Sequence, residues 1–380
     1  MKTGAIIAEY NPFHNGHRLQ IELLRERHGV THVAALMSTS FTQRGEPALF
    51  DQFTRAKAAV MGGVDVVFAL PYPYCAQTAE IFAHGGVSLV DRMKFDTLAF
   101  SCENEDLPVF FRLAQLLNEE PEEYRELLRL NLASGFSYAV SRSLALENML
   151  GRNLDFIARP NNILALEYIK ELQRLDSRVK PVTFLREGSA HGSQTPVGDF
   201  ASASYLRKNL LNGNTEDVAR YLPSAAYPYG IPQTPCRSVE EFCQVVKAFL
   251  LLSDSEEIAS IADMEEGLEN RMKECLPAMK GGLEAYIQEV STKRYTKSRI
   301  RRIVFHLLLH YTKKDMQFFK AYTPGYVRVL AANERGRELI NYISTISSVK
   351  VVSNLSKAVG TLSEEDRRTF AFESKAYDLY

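Results

Sequence analysis

From Gly4 to Phe100 the chain alternates two patterns: short, continuously apolar runs, and longer stretches with apolar residues three and four positions apart. "GAIIAEY", "THVAALMS", "VDVVFALP" and "FDTLAF" are the runs, and each predicts a strand buried on both faces. Between them, Leu19, Leu23 and Leu24 form a helical stripe stopped at His28-Gly29, "DQFTRAKAAVMGG" predicts a helix capped by Asp51, and "AQTAEIFAHGGVSLVDRM" predicts another. Alternation of this kind predicts an α/β fold with a parallel sheet covered on both sides.

Beyond about Glu105 the pattern turns largely helical, through "PEEYRELLRLNLASG", "FSYAVSRSLALENML" and "RPNNILALEYIKELQRL", with a fifth strand at "KPVTFLRE". "DFASASYLRKNLLNG" predicts a helix with a glycine stop, and the Pro- and Tyr-rich "LPSAAYPYGIPQTP" suggests a boundary near residues 215–235. The remainder is read as mostly helix, with a short strand at "GYVRVLAAN".

Composition adds limits. The 380 residues suit two domains, and 46% hydrophobic with 24% charged residues is the range of a soluble globular chain. No apolar run is long enough to span a bilayer, and no secretory signal opens the chain, so a cytoplasmic location is expected. The five cysteines, Cys75, Cys102, Cys236, Cys243 and Cys275, contain no CxxC pair, which argues against disulfides and a thiolate metal site. Net charge is -1, but Ser291–Lys314 holds eight Lys or Arg and no acid. Ile300, Ile303, Val304, Leu307, Leu308 and Tyr311 give that stretch one apolar face, which leaves Lys293, Arg294, Lys297, Arg299, Arg301 and Arg302 to its ends and outer faces. Such a cluster suits nucleic-acid phosphates, and equally a solvated helix surface.

The chemistry centres on "NPFHNGH", a turn directly after the first strand. Ligands of a doubly wound sheet bind beyond the carboxyl ends of its strands, and a helix start attracts anions through its free N–H groups and dipole. His14 and His17 could donate hydrogen bonds to phosphoryl oxygens there, with Gly16 giving a phosphate room. No metal is expected, because the segment lacks further ligands at suitable spacing. Taken alone, the pair could equally be two turn residues.

The strand-turn context resembles the HxGH motif of the nucleotidyltransferase superfamily, and "ASASYLR" (201–207) resembles its second signature, with Ser202 and Ser204 at a helix start and Arg207 able to fork onto phosphate. With "QRGEPALFDQFTRAKAA", "VDVVFALPYPYCAQTAEIFAHGGV", "PNNILALEYIKEL", "KRYTKSRIRRIVFHLLL" and "GYVRVLAANERGRELI", nearly the whole chain resembles the bacterial tRNA(Met) cytidine acetate ligase family. The resemblance implies a Rossmann-like nucleotidyltransferase domain over 1–220 and a mostly α-helical, tRNA-binding C-terminal domain over 221–380.

It also implies an activity: acetate attacks ATP, with Mg²⁺ on its phosphates, to give acetyl-adenylate, and the acetyl group passes to N4 of the wobble cytidine of elongator tRNA(Met). Carried over by position, the ATP contacts are Ile7, Ala8, Glu9, Tyr10, Asn11, Pro12, Phe13, His14, Asn15, Gly16, His17, Arg18, Leu19 and Gln20, then Ser101, Asn161, Asn162, Arg186, Glu187, Ser202 and Ser204. His14, His17 and Arg207 are the catalytic candidates. Thr39 and Ser101 stand where the family pattern has glycine, which leaves open a degenerate nucleotide site in an RNA-binding protein. Adenylyl transfer to a small phosphorylated metabolite is the other alternative.

Overall fold

Seven strands form one sheet in the order β5-β4-β1-β2-β3-β6-β7: β1 Thr3–Ala8, β2 His32–Ser38, β3 Val66–Leu70, β4 Thr97–Cys102, β5 Lys180–Leu185, β6 Tyr326–Ala332 and β7 Lys350–Val352. The computed structural model describes residues 1–103, 106–136, 138–185, 195–228, 230–231 and 236–380. The first five strands are mutually parallel, and the apolar runs of the first four lie at or near complete burial, as expected of strands covered on both faces. Order runs outward from β1 in both directions, through β2 and β3 on one side and through β4 and β5 on the other. That reversal opens a crevice between the ends of β1 and β4, where a parallel sheet binds ligands.

Local signals set the helix ends. Helix α1, Asn15–His28, starts at His14 and stops at Gly29, whose φ of 62° is left-handed. Helix α2, Gln52–Met61, starts at Asp51, whose carboxylate accepts from the Phe53 and Thr54 N–H groups. The helix Ala79–Arg92 is buried along ten consecutive residues, because it lies between the sheet and later helices.

The C-terminal segment departs from the expected division at residue 220. The strand read at "GYVRVLAAN" is β6, and it does not belong to a separate helical unit: it pairs antiparallel with β3, Val66 opposite Ala332, and β7 then pairs with β6. One apolar core extends from Ala5 in β1 to Ala376 in the last helix, joining residues on both sides of the expected boundary. The Pro- and Tyr-rich composition at 222–235 thus does not mark a division of the core. Among the described residues no helix is long and apolar enough to cross a membrane. All five cysteines are free thiols, and Cys75, Cys102 and Cys243 are buried.

Candidate active site

At the crevice the carboxyl ends of β1, β4 and β5 open on a cleft of about 680 Å³, within the size range of small-ligand sites. From segment 7–20 it is lined by Ile7, Ala8, Glu9, Tyr10, Asn11, His14, Gly16, His17, Leu19 and Gln20. Pro12, Phe13, Asn15 and Arg18 do not line it: Phe13 is in the core, and Arg18 pairs with Glu22 at the surface. Asn15 serves as an anchor. Its side-chain amide donates to the carbonyls of Asp199 and Arg220 at 2.9 and 3.0 Å, which brings the segment ahead of "ASASYLR" against the start of α1.

His14 and His17 are brought together and oriented by the helix start itself. His14 Nδ1 accepts from the Gly16 N–H at 3.1 Å, and His17 Nδ1 accepts from the His14 N–H at 3.3 Å, a reciprocal cap. With Nδ1 an acceptor in both, the neutral rings carry their proton on Nε2, so each is an N–H donor at its outer edge. The rings stack with centroids 3.7 Å apart, and Tyr10 packs edge-on against His17 at 4.9 Å. Gly16 is needed for the histidine as much as for a ligand, since a Cβ there would stand 3.0 Å from His14 Cε1. Two imidazole N–H donors beside the positive end of a helix suit an anion and the charge that develops on a phosphate.

The wall opposite is the loop from Thr39 to Phe50. Arg55, 1% exposed, reaches from α2 and donates to the carbonyls of Phe50 at 2.9 Å, Glu9 at 2.6 Å, Ser38 at 3.0 Å and Thr39. One guanidinium thus ties the ends of β1 and β2 to this loop. Glu9 Oε1 accepts from the Gln43 N–H at 2.8 Å, and burial pushes its carboxyl above the usual range, offset in part by that bond and by Arg207. Gly45, at φ 74°, lies against the backbone of Arg301 and Arg302, where any Cβ would stand within 2.5 Å of the Arg302 nitrogen, so loop and basic helix pack in contact.

Arg207 does not line the cleft. Its guanidinium donates to the Asn11 carbonyl at 3.0 Å and to Glu46 at 3.2 Å, and Glu46 also receives Arg301 at 3.1 Å. Ser202, expected as a phosphate contact, is 1% exposed and caps the helix Ala203–Leu211 by accepting from the Tyr205 N–H. Ser204 is half-buried and outside the cleft lining, which here is formed by Phe200, Ala201 and Ala203.

Ser101 and Asn161 line the cleft, whereas Asn162 is fully buried and structural: its amide donates to the Phe156 carbonyl at 2.7 Å and accepts from the Glu103 N–H at 2.8 Å. Glu103 in turn receives the Asn161 amide at 2.8 Å and the Asn162 N–H at 3.2 Å, a carboxylate at the start of the helix Pro160–Arg174. Thr39 is absent from the left-handed backbone positions, so a side chain is tolerated there, and its N–H donates to Cys75 Sγ at 3.3 Å. Arg186 and Glu187 lie outside the described residues.

Of the six basic residues, Arg302 is not on an outer face. It is 7% exposed, pairs with Asp263 at 2.7 Å and lines the cleft. Arg299 is held by Glu265 and the Asp263 carbonyl, and Arg301 by Glu46 and Glu284. These pairs form because the helix Lys297–Leu309 packs against acidic neighbours, which its own charge pattern does not reveal. Lys293, Arg294 and Lys297 are exposed.

Arg55 and Glu46 escaped the sequence reading, although both stand in "QRGEPALFDQFTRAKAA". Neither stands out locally, since Arg44, Asp51 and Lys57 in the same stretch are charged as well.

Residues 1–380 match the family model HIGH Nucleotidyl Transferase. A tRNA(Met) cytidine acetate ligase from Thermoanaerobacter sp. (strain X514) is 37% identical over 384 residues, covering 99% of this chain and 94% of that protein. One from Anoxybacillus flavithermus is 37% identical over 361 residues, covering 93% and 89%. Among solved structures, apo TmcAL from Thermotoga maritima is similar at a TM-score of 0.91 and 30% identity, over 99% of this chain and 93% of that one. Its form bound with alpha-thio ATP gives 0.90 and 29% over 100% and 95%. Similarity at these levels spans the sheet, the histidine turn and the C-terminal strands alike, and by it the chain belongs to the HIGH nucleotidyl transferase family and to its tRNA(Met) cytidine acetate ligases.

Proposed function

We propose that the chain joins acetate to tRNA in two steps at this one cleft. Acetate attacks the α-phosphate of ATP and releases pyrophosphate, and the acetyl group of the resulting adenylate is then taken by N4 of the wobble cytidine of elongator tRNA(Met). The observation that carries the reading is the stacked His14–His17 pair, held by backbone N–H groups so that both rings offer N–H donors at a helix start. Donors fixed before the reaction stabilise charge on the phosphates without reorganisation.

Activation matters because a carboxylate is a poor acyl donor, whereas AMP departs readily. ATP enters with Mg²⁺ on its phosphates as part of the substrate, and no group of three or more His, Cys, Asp or Glu able to hold a metal is gathered among the described residues. The ATP contacts are then the cleft-lining members of segment 7–20 with Ser101 and Asn161, and Arg207 joins them by leaving Glu46 when phosphates arrive.

For tRNA we assign Lys293, Arg294 and Lys297, the exposed cations at the start of the basic helix, to phosphate contacts, with residues 221–380 supplying most of the docking surface. ATP and tRNA as substrates argue for a cytoplasmic location. The test is incubation of purified protein with ATP, labelled acetate and unmodified elongator tRNA(Met): N4-acetylcytidine is expected, with a loss of about 100-fold or more in His17→Ala. Full activity in that variant contradicts the role given to the pair.

A further inference from the structure

Acyl transfer to a cytidine needs a base, and few groups in the cleft can act as one. The N4 lone pair is delocalised into the ring, so the nitrogen has to shed a proton as it attacks. His14 and His17 are unsuited: each accepts a backbone N–H at Nδ1, at 3.1 and 3.3 Å, which leaves Nε2 a donor. Among the described residues that line the cleft, Glu9 is the one carboxylate. It directly follows β1 and stands beside the histidine turn. Oε1 is anchored by the Gln43 N–H at 2.8 Å, while Oε2 has no hydrogen bond to any described residue. One oxygen thus orients the group and the other is left to receive a proton. Burial raises the carboxyl and so makes it a better proton acceptor than one in water, while the Gln43 N–H, Arg207 and Arg44 offset part of that rise.

We propose that Glu9 is the general base of the transfer step, taking the proton of the cytidine amine through the carboxylate oxygen that Gln43 does not hold. N4 forms a bond to the acetyl carbonyl carbon, its proton passes to Glu9, and the bond from that carbon to the phosphate oxygen breaks with its electron pair leaving on AMP. The inference rests on the acetate-ligase reading above.

The experiment compares two acceptors for the same acetyl-adenylate. Hydroxylamine keeps a free lone pair and intercepts the adenylate as acetohydroxamate without an enzyme base, whereas tRNA requires one. In Glu9→Gln the ratio of tRNA acetylation to hydroxamate formation is expected to fall about 100-fold or more. Glu9→Asp, which keeps a base but draws it back, should recover part of that ratio and guards against misfolding of the first variant. A ratio unchanged in both variants, whether the two products fall together or neither falls, overturns the proposal. If the unaltered protein forms neither product, the acetate-ligase reading itself fails, which is a distinct outcome.

Discussion

Arg55 shows how much of the cleft depends on a residue that touches no substrate. It is buried and its donors serve four carbonyls, those of Glu9, Ser38, Thr39 and Phe50. Arg55→Met keeps most of the volume but leaves those carbonyls buried without donors, for which about 3–5 kcal/mol of stability should be lost in urea melts. At this scale the sequence was legible where chemistry is local. "HNGH" after an apolar run is enough to place two histidines at a helix start, and Asp51 before "QFTRAKAAV" is enough to place a cap. It was illegible for Asn162, whose amide is spent on backbone contacts, and for Arg302, whose partner Asp263 lies on another element. A motif states which residue types a site needs, not which of them the surrounding packing uses for its own hydrogen bonds.

Among elements, the loop Thr39–Phe50 is the joint between the nucleotide cleft and the C-terminal helices. Glu46 holds Arg207 from one side and Arg301 from the other. Glu46→Ala should lower the KM for ATP about threefold, about 0.6 kcal/mol, because Arg207 no longer has to break an ion pair to reach the phosphates, and melting should change little because the ion pairs are partly exposed. Initial-rate measurements over a range of ATP concentrations check this.

A second joint is buried. Burial alone would raise the Glu171 carboxyl, but hydrogen bonds from Arg174 and His84 outweigh it and hold the group at about 2. A carboxyl depressed in the folded state stabilises above its unfolded pKa of 4.5, and that contribution is lost as pH falls through about 2. Acid unfolding should therefore steepen below about pH 4.5, and Glu171→Gln should flatten that limb. The strands and most helices were readable from period and caps. The three-residue β7 was not, since a run so short carries no period.

For the whole molecule, the parallel half of the sheet could be predicted because each buried strand declares itself by composition. Its completion could not, because the pairing of β3 with β6 joins segments that share no local signal. A fragment ending at residue 220 leaves the β3 edge unpaired and uncovers apolar core, so it should aggregate on expression, whereas the full chain stays in solution; sedimentation of the two checks this. The two parts of the chain to which we assign ATP and tRNA thus share one core.

The antiparallel β6 also bears on how the protein is made. Val66 pairs with Ala332, so a nascent chain can build β1 to β5 on the ribosome while the β3 edge stays open until nearly nine-tenths of the protein has been synthesised. Most of the cleft, formed by β1, β4, β5 and the histidine turn, can then assemble before the segment we assign to tRNA is in place, and Arg302 completes its lining afterwards. Late synthesis both seals the sheet and brings the basic helix against Gly45, so a newly made molecule gains the cover of its sheet edge and the cations we assign to tRNA at nearly the same stage.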